Sequence, residues 1–488
     1  MFFLSIPTTV LLILSVVIAT PMLASLIKKY RYQLVVIILL SLFIVTELIS
    51  IYFSGGFIDY QFFVNLNFRD IFAGLFIFKL QAVLAIFSFI LFVFGLTFMT
   101  KWAKQYIVIW LRLIVLLFTL ILIGQNGGPL SKIYEIYQIT VASQQPFDQA
   151  LTQLGMVNYV KKPQLVTDKG KNIIVISLES FERGFMDMPD ITPNLTRLSQ
   201  QYTYFPSLPM GIGSSWTTAS MYTYMTGVPF LIGELTTMPM KETKALQLVS
   251  LGDVLHQAGY QTKYIMGNPN FAGMGHIISL FGIPVISEAN YPNQYPPAPF
   301  GLYDRDIFDV AKREITEFTQ SKQPFALFIS TVSTHAPNGF EDKRMHQYIS
   351  PKSNNMAFVA ASLDYNLGEF IHYLERNHLL EDTVFYIFPD HLMMGIGTET
   401  ITKLSLQTRS LYLISNADTK TLNHEESDTL YQIDLPRIIL NGAQINSNAK
   451  FLTDYLSRDG NKLEFIKSNK EKIAQLNKAA EIGSYSMQ

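Results

Sequence analysis

Four apolar runs crowd the first quarter of the chain, and they constrain its architecture more than any other feature. Phe3 to Ile27 ends at Lys28-Lys29-Tyr30-Arg31, and Leu34 to Phe53 closes before Ser54-Gly55-Gly56. Leu80 to Met99 is followed by Lys101 and Lys104, and Ile107 to Ile123 closes at a Gly-rich turn, Gly124 to Pro129. Each is close to the roughly 20 helical residues that cross a hydrocarbon core of ~30 Å. The first run lacks a basic leader and three more follow, so it reads as a span rather than a signal peptide. Phe57 to Phe78 is apolar but broken by Asp59, Asn65, Asn67, Arg69 and Asp70, and reads as interfacial or re-entrant. The basic residues lie in the loops after spans one and three, which places those loops in the cytoplasm and everything after Gly124 outside. Glu47 and Arg112 sit near span ends, where snorkelling accounts for them.

The 488 residues exceed one domain, and the composition is almost balanced, with 37 basic and 38 acidic side chains. No basic field points to nucleic acid. Cys is absent, which excludes a disulfide framework and thiolate metal sites. The pattern divides the chain into a transmembrane domain (1–125), a linker region at the membrane surface (126–165), a catalytic domain (166–450) and a helical tail (451–488). In the linker, Leu130, Ile133, Ile136, Tyr137 and Val141 form one helical stripe, suited to a membrane surface or to packing on the outer domain.

From Lys171 short β-branched runs alternate with helical stretches, the pattern of an α/β fold around a mostly parallel sheet. Ile173 to Leu178 ends at Glu179-Ser180, Phe325 to Ser330 ends near Ser333-Thr334-His335, and Val384 to Phe388 ends at Pro389-Asp390-His391. Ligand sites in open α/β sheets lie beyond the carboxyl ends of the strands, so these ends can converge although they span about 200 residues. Between the first two, Gly213-Ser214-Ser215-Trp216-Thr217 leaves a Pro- and Gly-rich loop and opens a short helix that stops at Gly227. Thr217 falls in the first turn, where free N–H groups and the helix dipole favour an anion. One such hydroxyl, histidine or strand-end acid is ordinarily a cap, a loop residue or a turn; three strand ends and a helix-start Thr together are not. Carboxylates and imidazole suit Mn²⁺, Mg²⁺ or Zn²⁺, and such an ion beside Thr217 would acidify its hydroxyl for attack on phosphorus.

These residues resemble the alkaline phosphatase/sulfatase superfamily, and within it the membrane phosphoglycerol transferases. Sulfatases carry C-x-P-S-R followed by T-G; Thr217-Thr218-Ala219-Ser220-Met221 precedes Thr226-Gly227 at that spacing. Leu178-Glu179-Ser180, Thr217, His335 and Asp390-His391 follow the order seen in lipoteichoic acid synthases. The group that decorates osmoregulated periplasmic glucans is similar in Ser215-Trp216-Thr217, Thr334-His335-Ala336-Pro337, Asp390-His391-Leu392-Met393, Leu178 to Arg183 and Ile191 to Leu195. The likeness covers roughly 172–442. It implies one divalent ion, Mn²⁺ first with Mg²⁺ or Zn²⁺ as alternatives, on Glu179, Thr217, Asp390 and His391. It implies Thr217 as nucleophile with His335 as its catalytic and substrate-binding partner, and further substrate contacts from Trp216, Asn268 and Arg305. The donor would be phosphatidylglycerol in the bilayer and the acceptor a glycan or glycolipid. The enzyme would sit in a bacterial inner membrane with its catalytic domain outside.

The chain departs from the family where a basic residue is expected in Gly267 to Met274, since Met274 stands there; phosphate recognition then falls to His335, Lys263, His276 or Arg305. A phosphoethanolamine transferase on this scaffold usually carries several Cys pairs, and here there are none. A phosphodiesterase remains an alternative; a sulfatase needs Cys or Ser for formylglycine where this chain has Thr217. A silent membrane scaffold would not need every ligand kept.

Overall fold

The computed structural model describes residues 6–54, 56–64, 75, 78–125, 127–231, 243–321, 323–395, 399–405, 407, 409–458 and 460–483. The chain forms two compact units, Met1–Val141 and Ala142–Gln488.

In the first unit, among the described residues, three helices are long and apolar enough to cross a membrane: Thr8–Leu26, Tyr30–Ser54 and Lys79–Tyr106. The last exposes Phe94 and Phe98 at 72% and 70%, a surface that calls for an apolar medium. Ile109–Ile123, expected as a fourth span, has 15 residues and so reaches about 22 Å, short of the core by itself. Much of the 57–78 segment lies outside the described residues; within it Tyr60–Val64 is one short helical turn.

Two charged side chains correct the snorkelling expectation. Glu47 is fully buried and accepts a hydrogen bond from the Ile58 N–H at 2.8 Å, capping the chain after the second helix. Arg112 donates to Ser25 Oγ at 3.2 Å and to the Ser25 carbonyl at 3.3 Å, joining the first and fourth helices. A charge inside an apolar bundle is held by such partners, and both found them within the unit. In the helix Pro129–Thr140, Ile136 and Ile139 are buried, whereas the other members of the expected stripe, Leu130, Ile133, Tyr137 and Val141, are exposed.

The second unit is built on a seven-stranded sheet. Its strands are β1 (Asn172–Leu178), β2 (Thr203–Leu208), β4 (Gln261–Ile265), β5 (Val285–Ile286), β6 (Phe325–Ser330), β7 (Thr383–Pro389) and β8 (Leu411–Ser415). β3 (Thr243–Leu246) pairs instead with β9 (Glu481–Gly483). The order across the sheet is β2-β8-β7-β1-β6-β4-β5, parallel except where β8 meets β7 and β2. β1 is central, and Ile173 to Leu178 are at most 1% exposed because helices cover both faces. Each fully buried Ile or Leu contributes roughly 1.5–3 kcal/mol.

One face packs under helices Pro193–Gln201, Asp304–Gln320 and Asn355–Arg376, whose apolar residues join Ile174, Ile176, Leu327 and Phe385 in one core. Their spacing is helical, as in Ile307, Phe308, Val310, Ala311, Ile315 and Phe318. The other face carries helix Thr217–Thr226 with Met274–Leu280 and Leu435–Gly442 around it. In helix Lys470–Ala480, Ile473 and Leu476 are buried, and the helix packs on Phe147–Gln153 before β9 closes on β3.

Candidate active site

β1, β6 and β7 run in register, with Ser177 opposite Ser330 and Leu178 opposite Pro389, so their carboxyl ends finish on one line. The ladder continues past the strands: the Asp390 N–H donates to the Leu178 carbonyl at 3.1 Å. Ser180 turns into the left-handed region, φ 53°, and its N–H donates to Asp390 Oδ1 at 2.8 Å. The His391 N–H binds the same oxygen at 2.8 Å. Thr331 Oγ1 accepts the Glu179 N–H at 2.9 Å, and the Thr334 hydroxyl donates to the Glu179 carbonyl.

Glu179, Asp390 and His391 are each buried, and one ligand atom from each lies within 4.8 Å of the others. The Nδ1–H of His391 donates to the Leu392 carbonyl at 2.9 Å, which leaves Nε2 facing inward. That nitrogen is 3.4 Å from Glu179 Oε1 and 3.5 Å from Asp390 Oδ2. Asp390 Oδ2 is buried with no hydrogen-bond partner among the described residues. Burial and then the Glu179 charge push the Asp390 carboxyl up to about 7. Burial alone would raise Glu179 too, but the His391 charge and hydrogen bond hold it down near 2. Burial opposes a charge on His391, yet the Asp390 and Glu179 carboxylates raise it to about 9. Two buried carboxylates, one with an orphaned oxygen, and an inward-facing imidazole nitrogen suit a divalent cation, and hard oxygens with one nitrogen match Mn²⁺, Mg²⁺ or Zn²⁺.

Thr217 enters from the other face of the sheet. Gly213, at φ 78°, turns the loop, Trp216 takes the N-cap position, and Gly227 at φ 69° ends the helix in the left-handed conformation that glycine adopts without strain. Thr217 is thereby the first residue of a helix, half-buried, and its hydroxyl donates to Glu179 Oε2 at 3.0 Å and lies 3.4 Å from His391 Nε2. The neighbouring hydroxyls are engaged elsewhere. Thr218 donates to the Ala272 carbonyl at 3.1 Å, and Ser220 meets the Gln432 amide at 3.2 Å.

His335 is half-buried, its Nδ1–H donating to the Ala336 carbonyl at 2.8 Å. The ring stacks on Phe300 at 5.1 Å, with Phe271 and Phe340 beside it. Asn268 closes its own turn by accepting the Asn270 N–H at 2.9 Å. Trp216 is buried edge-on to Phe230, a packing position. Arg305 stacks over Tyr348 and lines a small cavity with Ser333, Asp342 and Asn366. Lys263 is paired with Glu314 and Glu317. His276 Nε2 is buried without a partner among the described residues.

Three supports escaped the sequence reading. The Gln432 amide bridges the Asp390 carbonyl, at 2.6 Å, and Ser220. Asp304 Oδ1 accepts the Val332 and Ser333 N–H groups at 2.7 and 3.0 Å, fixing the loop that carries His335. Buried Glu182 pairs with Arg409 and accepts the Met393 N–H at 3.1 Å, two residues past His391. Acid and base here are 227 residues apart, and no local spacing announces them.

A mostly parallel sheet with acids, a histidine and a hydroxyl gathered at its carboxyl edge defines an α/β protein of the alkaline phosphatase type. Residues 171–440 match the family model for sulfatases, and the chain belongs to that family. Over 256 residues it is 30% identical to phosphoglycerol transferase I of Escherichia coli (strain 55989 / EAEC), a match covering 49% of this chain and 33% of that relative. The match therefore spans a third of the relative's length. Among solved structures, lipooligosaccharide phosphoethanolamine transferase A (EptA) from Neisseria meningitidis is similar with a TM-score of 0.52 and 10% identity, covering 90% of this chain and 88% of that one. The lipoteichoic acid synthase LtaP from Listeria monocytogenes has a TM-score of 0.50 and 18% identity, covering 67% and 80%. Both likenesses concern the fold.

Proposed function

We propose that this protein is a metal-dependent phosphoglycerol transferase that moves glycerol phosphate from phosphatidylglycerol to a glycan or glycolipid through an ester on Thr217. The observation that carries the reading is the Thr217 hydroxyl, 3.0 Å from Glu179 Oε2 and 3.4 Å from His391 Nε2 at the start of a helix. The name of the Escherichia coli relative supports the glycerol headgroup. Glu179, Asp390, His391 and Thr217 would hold the ion, and when bound it supplies positive charge that lowers the hydroxyl pKa and offsets charge on the phosphoryl oxygens. Thr217 Oγ1 gives up its proton and bonds to phosphorus as the bond to the diacylglycerol oxygen breaks, and that oxygen takes up a proton, so diacylglycerol leaves neutral. His335 keeps Nδ1 on a backbone carbonyl, which leaves Nε2 to steady the phosphate or to pass that proton. Free N–H groups of the first helical turn face the developing negative charge. The transmembrane domain (1–125) keeps the enzyme at its lipid donor, and the exposed stripe of Pro129–Thr140 suits a helix lying on the membrane surface within a linker of 126–165. The catalytic domain of 166–450 then faces outward.

Two measurements test this. Phosphatidylglycerol labelled in its headgroup is expected to pass label to a glycan or glycolipid and to leave diacylglycerol. Label released only to water would make the protein a phosphodiesterase, and transfer from phosphatidylethanolamine alone would make it a phosphoethanolamine transferase. For orientation, a reporter active only outside the membrane is expected to work when fused after Gln125 and to stay silent when fused at Lys29; the reverse result would place the catalytic domain in the cytoplasm.

A further inference from the structure

Two buried tyrosines stand between the Thr217 helix and the sheet, and no step of the proposed transfer uses them. Tyr224 is on the helix and Tyr264 on β4, each at most 1% exposed, and their hydroxyls are hydrogen-bonded to each other. The Ser177 and Ser330 hydroxyls, in register on β1 and β6, are 3.2 Å apart. Tyr224 bonds with Ser177, and Tyr264 with both serines. Burial raises both phenols, Tyr264 to about 12 and Tyr224 well above its ordinary value, so the four groups form a neutral hydroxyl cluster.

The cluster is tied to the site at two points. Strand side chains alternate between faces, and Ile174, Ile176 and Leu178 join the core on one of them. Ser177 and Glu179 therefore share the other face, two residues and about 6.6 Å apart. Residues seven apart on a helix lie on one side, two turns apart, so Tyr224 stands about 10.5 Å down the axis from Thr217 on the same side. Phe388 of β7 lies edge-on to the Tyr224 ring at 5.3 Å, so that side meets the sheet. The Thr217 hydroxyl closes the circuit by donating to Glu179 Oε2 at 3.0 Å. The path from Thr217 along the helix to Tyr224, across to Ser177 and along β1 to Glu179 is continuous, every link a backbone segment or a hydrogen bond.

Residues 218 to 226 are all buried. Apolar burial is non-directional and leaves such a helix free to shift, whereas a hydrogen bond fixes distance and angle. We propose that Tyr224, held by Tyr264, Ser177 and Ser330, is a positioning residue that sets the height of Thr217 over Glu179. Being buried, it touches no substrate. The inference rests on Thr217 as the nucleophile, since a group misplaced by about 1 Å can lose about 10²-fold in rate.

Removing the hydroxyls tests it. Tyr224→Phe and Tyr264→Phe keep both rings. Each is expected to lower kcat with phosphatidylglycerol by about 10- to 100-fold, with KM and Mn²⁺ affinity within about twofold of wild type. Tyr222→Phe is the control. Tyr222 is as buried, sits about 200° around the helix from Tyr224, and donates to Asn477 at 3.0 Å. That variant is expected to lose stability and to keep kcat within about twofold of wild type. Wild-type kcat in both Tyr224→Phe and Tyr264→Phe, or an equal loss in Tyr222→Phe, would overturn the proposal. Should Tyr224→Phe not fold, Tyr264→Phe decides. A crystal structure of metal-free Tyr224→Phe reads the position without turnover: the Thr217 hydroxyl is expected to move from Glu179 by about 0.5 Å or more, and an unmoved hydroxyl would overturn the proposal. A moved hydroxyl together with full transfer by Thr217→Ala would uphold the positioning and sink the nucleophile.

Discussion

Thr217→Ala is expected to lower transfer by about 10⁴-fold or more, the scale seen when a catalytic nucleophile is removed. The loss has a narrow cause. The side chain contributes one hydroxyl, and its partners Glu179 and His391 are held from β1 and β7 by bonds that do not involve Thr217. The variant is therefore expected to fold and to bind the ion through the three remaining ligands. Mass spectrometry of wild type quenched during turnover with phosphatidylglycerol is expected to show a glycerol phosphate adduct on the peptide holding Thr217, and none in the variant. Thr218→Ala is the local control. Its hydroxyl is spent on the Ala272 carbonyl, so the change is expected to cost about 1 kcal/mol of stability and to retain most activity. An adduct on another residue, or near wild-type transfer by Thr217→Ala, would end the double-displacement reading.

Asp390→Asn and His391→Ala are expected to weaken metal binding by at least about 100-fold, since loss of outer partners alone costs about 10–100-fold. Asn is chosen because Asp390 Oδ1 already accepts two N–H groups, and an amide oxygen keeps both bonds while the charge is lost. Without metal the Asp390 charge faces that of Glu179, so Asp390→Asn is expected to unfold no sooner than metal-free wild type. Added Mn²⁺ is expected to stabilise wild type by about 2.7 kcal/mol at 100 times its Kd. A matching rise in unfolding temperature in both variants would show that the ion sits elsewhere.

The candidate site was legible in the sequence because most of its residues stand at strand ends, and strand ends are local features. Glu179, His335 and Asp390-His391 each follow a run of buried β-branched or aromatic residues, and parallel pairing does the rest. Thr217 was readable from the Gly and Pro punctuation around a short helix. The supports were not. Gln432 reaches Asp390 through its carbonyl, and Asp304 acts on backbone N–H groups. Contacts between a side chain and a distant main chain impose no pattern on the residues they touch. Side-chain direction was equally hidden. Trp216 packs on Phe230, Arg305 lies over Tyr348, and Glu47 turns inward to Ile58, each set by tertiary neighbours rather than by its own segment. The fourth apolar run was visible as apolar, but its helical length was settled only by where Val108 and Gly124 cap it.

The bridge from Gln432 to Asp390 and Ser220 has a consequence for how the protein is made. Domains form as the chain emerges from its amino end. When His391 has just been added to the growing chain every candidate ligand has been made, yet the amide that ties the β7 end to the Thr217 helix is still 41 residues from being synthesised. β8, which flanks β7 in the sheet, is missing as well. A growing chain thus carries the parts of its candidate site without the brace that fixes them. The centre is completed late, once the carboxyl-terminal part of the domain has folded back over it.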